Sequence, residues 1–356
     1  MRHGVFALVV VAFVAAFAVP AQAAVRTYYI AADEVVWNYA PLGKDVLAQR
    51  PLPPLAPKQL GWSFRKAIYH EYTDGTFTHL KPRPASDAYL GLLGPVIHAE
   101  VGDTIVVVFK NNARFPLSVH PHGVFYKKND EGAPYRDGMP EFDKVGDAVT
   151  PGHTFTYTWQ VPERAGPGPA DPSSVMWMYH SHTDEVHDVN TGPIGAMVVT
   201  RRGMANPDGS PKDVDREVFM LFSEEDESSS RFLATNIADP KTNPLHRKPV
   251  GPYLFDDQIY NMNGFVYGNM PLVTMHTGER VRWYVMATMS DFDFHTPHWH
   301  GNNLLVNGMR TDVVELFPMQ MVVADMIPDD KGIWLIHCHV NLHLDGGMEA
   351  RYEVLP

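Results

Sequence analysis

The chain has 356 residues, 45% of them hydrophobic, and carries 41 acidic against 29 basic side chains for a formal net charge of -12. That length supports two domains with real cores; the acidic balance and the lack of any Lys/Arg block argue against nucleic acid or an anionic membrane as an electrostatic partner. One cysteine, Cys338, excludes an internal disulfide, so packing, metal or subunit contacts must hold the fold.

Residues 1–23 open with Arg2 and His3, run through apolar residues from Val5 to Val19 and close on Ala21, Gln22 and Ala23. This is the pattern of a cleaved export signal. The run is too short for a membrane anchor, and a periplasmic or secreted protein is expected. From residue 24 the chain reads as short β-rich runs of alternating polarity between Gly, Pro and Asp turns, without long amphipathic helical patterns. The runs come twice. GPVIHAEVGDTIVVVFKN, HPHG at 120–123, PGHTFTYTWQVPE, WMYHSH ending at His182 and GPIGAMVV form one series; PLVTMHTGERVRWYVMA, HTPHWHG at 295–301, MQMVVADMIP, WLIHCHV ending at Val340 and GMEARYEV form the other. A polar stretch with Gly and Pro from Arg202 to Asp215 separates them. The expectation is an all-β chain of two Greek-key sandwiches, residues 24–205 and 206–356.

Aligning the copies places His120 and His122 with His298 and His300, and His180 and His182 with His337 and His339. Alternate side chains of a strand share a face, so each H-x-H pair offers two imidazoles on one side. Four pairs suit a three-metal cluster with positions left for dioxygen. Cys338, between His337 and His339 on an apolar run, points the other way. With His295, His343 and Met348 it completes the thiolate, two-imidazole and weak thioether set that an electron-cycling copper needs. The first copy has Ser181 and Leu117 where the second has Cys338 and His295, so one such centre per chain is expected. Asp184 and Glu185 directly follow the H-S-H pair and are candidates to supply protons. Tyr126 shares strand parity with His122 and is a candidate neighbour of the cluster. Asp291 and Asp293 precede His295, where a carboxylate can hold a cation or accept a phenol proton. Methionines between Met262 and Met348 invite a cuprous-ion reading, but core packing explains most of them more cheaply.

These strings, with YYIAADEVVWNYAP at 28–41, LGLLGPVIHAEVGDTIVVVFKN at 90–111 and HGNNLLVNGMRTDVVELFP at 300–318, resemble the multicopper oxidase family, and its ceruloplasmin-like branch in a two-domain, small-laccase form. The resemblance implies cupredoxin-like domains and four coppers per chain. The type 1 copper would take His295, Cys338, His343 and Met348, and the type 2 copper His120 and His298. The type 3 pair would take His122, His180 and His339 on one ion, and His182, His300 and His337 on the other. It further implies four-electron reduction of dioxygen to water, with electrons passing from Cys338 to His337 and His339. In ferroxidases of this kind a carboxylate precedes the second type 1 histidine. Leu342 stands there instead, so laccase-like oxidation of phenols and aromatic amines is the first expectation and metal-ion oxidation the second. A copper nitrite reductase would need only one histidine-bound catalytic copper, and a copper carrier would not need Cys338 between two cluster ligands. Two-domain members are typically homotrimers, which places the cluster between subunits.

Overall fold

The computed structural model describes residues 23–56, 59–247, 257–288, 290 and 292–356. Nearly all of the expected export signal, and Asp291, therefore lie outside the described residues. Within them the chain is built from strands, with three short α-helices at Glu185–Thr191, Leu233–Ala238 and Asn341–Asp345. The first part forms a five-stranded sheet in the order Ser63–Tyr72, Val25–Asn38, Thr104–Asn111, Thr154–Gln160, Phe125–Tyr126, and a four-stranded sheet in the order Ile97–Glu100, Ile194–Thr200, Ser174–His180, His120–Pro121. The second part repeats the plan. Its six-stranded sheet runs Gln258–Met262, Arg216–Asp226, Val281–Ala287, Met321–Met326, Leu304–Val306, Met309–Thr311, and its four-stranded sheet Val273–His276, Glu349–Leu355, Gly332–Cys338, Pro297–Trp299. Each sandwich closes with parallel pairs inside otherwise antiparallel sheets: Val25–Asn38 beside Thr104–Asn111, and Arg216–Asp226 beside Val281–Ala287.

The alternating runs fold as their pattern dictates. In Thr104–Asn111 every second residue is buried, so one face packs and the other meets solvent. Ile194–Thr200 and Val281–Ala287 are buried at every position. Their second faces are covered because the sandwiches share a core: Tyr89, Leu93, Met178, Ile194 and Val198 of the first pack with Val218, Met262, Trp283 and Met286 of the second. Met262, Met270, Met275, Met286 and Met326 are all buried in this core. Their role is packing, which agrees with the cheaper reading of the methionines.

Two registers carry the repeat into the site. His120 stands directly opposite His180 across one strand pair, and His298 directly opposite His337 across the equivalent pair.

Candidate metal centre

In the second sandwich His295, Cys338 and His343 are buried and their donor atoms lie within 4.8 Å of one another. Cys338 sits at the end of the strand Gly332–Cys338, and the short helix Asn341–Asp345 returns His343 to it, with Nδ1 3.6 Å from the sulfur. The backbone amides of Thr296 and Val340 donate to Sγ at 3.3 and 3.4 Å. The Cys338 amide donates to the carbonyl of Met348, whose side chain is fully buried. Both ring nitrogens of His295 are buried without a hydrogen-bond partner. Leaving them so costs about 1–3 kcal/mol per group unless something occupies the space between. Burial depresses His295 to about 3, with His343 adding to the effect, so the ring is neutral and its lone pair available. Burial raises the Cys338 thiol, which a bound cation would deprotonate. The donors are therefore those of a soft copper site.

The same strand turns His337 to the opposite side, where His298, His300, His337 and His339 cluster with ring centroids 4.6–5.4 Å apart. In the first sandwich His120, His122, His180 and His182 form an equivalent quartet with centroids 5.0–5.7 Å apart. Carbonyl oxygens only accept, so the tautomers follow. His120 and His298 donate from Nδ1 to the carbonyls of Glu131 and Asp312, and His180 and His337 donate to the carbonyls of Ser181 and Cys338. Each ring is thereby aimed with Nε2 free, the usual arrangement for a metal-ligating histidine. In each quartet one pair of Nε2 atoms converges to 3.1 Å, His122 with His180 and His300 with His337. Two nitrogens about 2.0 Å from a shared ion would stand at about this separation. His122 is held down at about 4, chiefly by burial.

The two quartets differ in exposure. His180 and His337 are buried, whereas His300 and His339 are exposed. His298 and His300 line an open cleft of about 1080 Å³ whose other walls, including Trp334, Arg310 and Asp312, all belong to the second sandwich. Among the described residues no ring contact joins one quartet to the other.

The candidate proton donors separate. Glu185, first residue of the helix Glu185–Thr191, places its carboxylate 3.1 Å from His182 Nε2 and 4.0 Å from His180 Nε2. Asp184 is exposed, and its carboxylate takes the Nδ1 of exposed His187 at 2.8 Å, because the helix start turns the pair outward. Tyr126 meets His120 edge-on at 6.1 Å. Asp293 reaches 3.5 Å from His343 Nε2, the buried ring nitrogen that faces away from the sulfur.

Two features escaped the sequence reading. Ser181, in the place of Cys338, donates to buried Asp188, which also binds Arg231, so a polar network fills the position that the sulfur has in the other copy. The glycines after two of the four H-x-H pairs, Gly123 and Gly301, press on a tryptophan; the signal was visible in HPHG and HWHG.

Two sequence families described as multicopper oxidase match residues 89–203 and 238–356, one in each sandwich. The chain belongs to the multicopper oxidase family. Its sequence is ceruloplasmin-like: it is 40% identical to hephaestin of Rattus norvegicus over 347 residues, covering 94% of this chain and 30% of that one. It is also 40% identical to ferroxidase HEPHL1 of Homo sapiens over 340 residues, covering 92% and 29%, and 39% identical to ceruloplasmin of Homo sapiens over 347 residues, covering 93% and 32%. This multicopper oxidase thus spans about a third of the length of these relatives. A crystal structure of a multicopper oxidase aligns with TM-score 0.60 at 18% identity, covering 93% of this chain and 89% of that one. A blue copper oxidase from Nitrosomonas europaea aligns at 0.57 and 18%, covering 94% and 86%. These confirm the cupredoxin-like sandwiches. Family membership implies copper, and the donors just described fit it.

Proposed function

We propose that this oxidase takes electrons from a metal ion, ferrous or cuprous, and passes them to dioxygen. The observation that carries the reading is the Asp293 carboxylate 3.5 Å from the His343 nitrogen that faces away from the sulfur, beside a donor set whose relatives include a named ferroxidase. The relatives shift the balance away from phenols and toward metal ions. A carboxylate there offers a hard oxygen ligand to an arriving cation and stabilises the higher charge that oxidation leaves behind. Leu342, 52% exposed, supplies no second carboxylate; Asp293 on the neighbouring loop compensates for it.

Copper bound by His295, Cys338, His343 and Met348 would accept single electrons, and copper bound by the eight cluster histidines would reduce dioxygen. The chain's own contribution is geometric. Cys338 and its two flanking histidines place the sulfur on one side of a strand and two cluster rings on the other, a path of a few covalent bonds. Glu185 stands at the first quartet as the group to hold a proton. Each quartet supplies one converging Nε2 pair, His122 with His180 and His300 with His337, leaving His182 and His339 to complete the opposite half. That supports an assembly in which the first sandwich of one chain meets the second sandwich of another, with a closed trimer as the proposed form. Native mass spectrometry of the copper-loaded protein tests it; a monomer holding all its copper and full activity would overturn it.

Oxygen uptake with ferrous, cuprous and phenolic reductants tests the substrate. Asp293→Asn is expected to raise KM for the metal ion about tenfold or more while phenol turnover stays within twofold. A uniform loss, or none, would remove Asp293 from the reading. A laccase-like second reading keeps one support: Phe294 and Phe317, both exposed and 5.9 Å apart, form an aromatic lip beside the loop that carries His295.

A further inference from the structure

We propose that Trp334 and Tyr352 are positioning residues that set the His300 imidazole, and that Trp177 performs the same task for His122. The inference rests on the copper reading above, because His300 and His122 are each half of a converging Nε2 pair. His300 is exposed, and its ring contacts are to the neighbouring cluster rings of His298 and His337. Its backbone is fixed separately. The His300 amide donates to the Leu335 carbonyl at 2.9 Å, and its carbonyl accepts the buried Tyr352 hydroxyl at 2.6 Å. Asn302 donates to the same hydroxyl oxygen at 2.8 Å. The next residue, Gly301, has φ +70 and lies against the Trp334 indole so closely that a Cβ would stand 2.4 Å from Cε3. Trp334 is itself anchored through Nε1 to the Asp330 carbonyl at 3.2 Å.

The first sandwich repeats the device with different supports. The His122 backbone amide donates to the Met178 carbonyl at 2.9 Å, and Gly123, with φ +72, presses on Trp177 so that a Cβ would stand 2.0 Å from Cδ2. Trp177 is anchored through Nε1 to the Ala165 carbonyl at 2.7 Å. No phenol serves here; the His122 carbonyl accepts the Val124 amide at 2.9 Å. Surroundings differ while the glycine-on-indole contact recurs directly after a cluster histidine, so the contact answers a demand of the cluster. Only a residue without Cβ tolerates both the left-handed backbone and the indole. The phenol is added where the histidine is more exposed.

The test uses the copper-loaded full chain and Trp334→Phe, Trp334→Ala and Tyr352→Phe. Type 1 absorption, total copper, the fraction of copper visible by electron paramagnetic resonance, and thermal unfolding are read together. Trp334→Ala and Tyr352→Phe are expected to weaken cluster copper by about tenfold or more and to raise the visible fraction, with type 1 absorption unchanged. Trp334→Phe should recover most of the coupled pair. Should Trp334→Ala fail to fold, Tyr352→Phe decides, since it removes one oxygen and keeps the ring. A wild type without any magnetically coupled copper overturns the copper reading itself. A wild type with a coupled pair that persists unchanged in Trp334→Ala and Tyr352→Phe overturns the positioning inference alone.

Discussion

A single atom separates the two copies of the fold at their most consequential position. Cys338 Sγ accepts the Thr296 amide, and Ser181 Oγ accepts the Ser118 amide at 3.1 Å in the matching place. The chain therefore already shows that serine fits there. Cys338→Ser is expected to fold normally, with unfolding temperature within a few degrees of wild type, to keep histidine-bound copper, and to lose type 1 absorption together with at least about 100-fold of its oxidase rate. Retained turnover would show that electrons bypass the sulfur. At this scale the sequence was informative because ligand chemistry is carried by residue type and strand parity: His295, Cys338 and His343 assemble where spacing placed them. Asp184 and Glu185 part ways because adjacency in the chain does not fix direction. The helix that starts at Glu185 sends one carboxylate to His182 and the other to His187.

That helix is also where the first sandwich lost its sulfur-type site and gained something else. Asp188 is wholly buried and accepts from Ser181 Oγ at 2.6 Å, from the Asp184 amide at 3.0 Å and from Arg231 at 2.8 Å. Arg231 in turn reaches the Pro116 carbonyl, one residue before Leu117, which replaces the fourth ligand. Removing the carboxylate leaves a guanidinium and a hydroxyl without their partner, so Asp188→Ala is expected to cost about 3–5 kcal/mol, whereas Asp188→Asn costs less. Chemical denaturation measures both, and a loss under about 1 kcal/mol would mean that water replaces the carboxylate freely. Strands were legible by alternation where one face met solvent, and by their place in the repeat elsewhere. Thr104–Asn111 was readable from its alternation; Ile194–Thr200 does not alternate, since its outer face is buried against the second sandwich, and was readable only as GPIGAMVV in its place in the repeat. What the run did not reveal is that its second face packs against the other sandwich.

The same long-range packing joins the sandwiches through a buried polar cluster. Tyr39 and Lys66 come from the first, Glu225 and Glu227 from the second, and all are essentially inaccessible. The Tyr39 oxygen lies 2.5 Å from Glu225 Oε2 and 2.6 Å from Glu227 Oε1. A phenol has one proton to donate, so the second contact requires a proton on a carboxyl group. Lys66 donates to Glu227 Oε1 at 2.7 Å and to the Asn190 carbonyl at 2.8 Å, while Ser223 and Asn261 donate to Glu225. Burial pushes Glu227 up to about 7, with Glu225 adding to it and Lys66 opposing. The folded value thus lies above the unfolded one of about 4.3. The stabilisation is complete below that unfolded value and is lost as pH rises toward about 7, on the order of 1–3 kcal/mol across the window. Depressed histidines such as His122 and His295 act in the opposite sense, since they resist protonation in the folded chain. Comparison with Glu227→Gln separates the two, because the amide keeps a donor and cannot titrate. Thermal unfolding at pH 5 and pH 8 should show wild type losing ground to Glu227→Gln by at least about 2 °C between the two conditions. Parallel profiles would mean that Glu227 stays ionised beside Lys66 across this range.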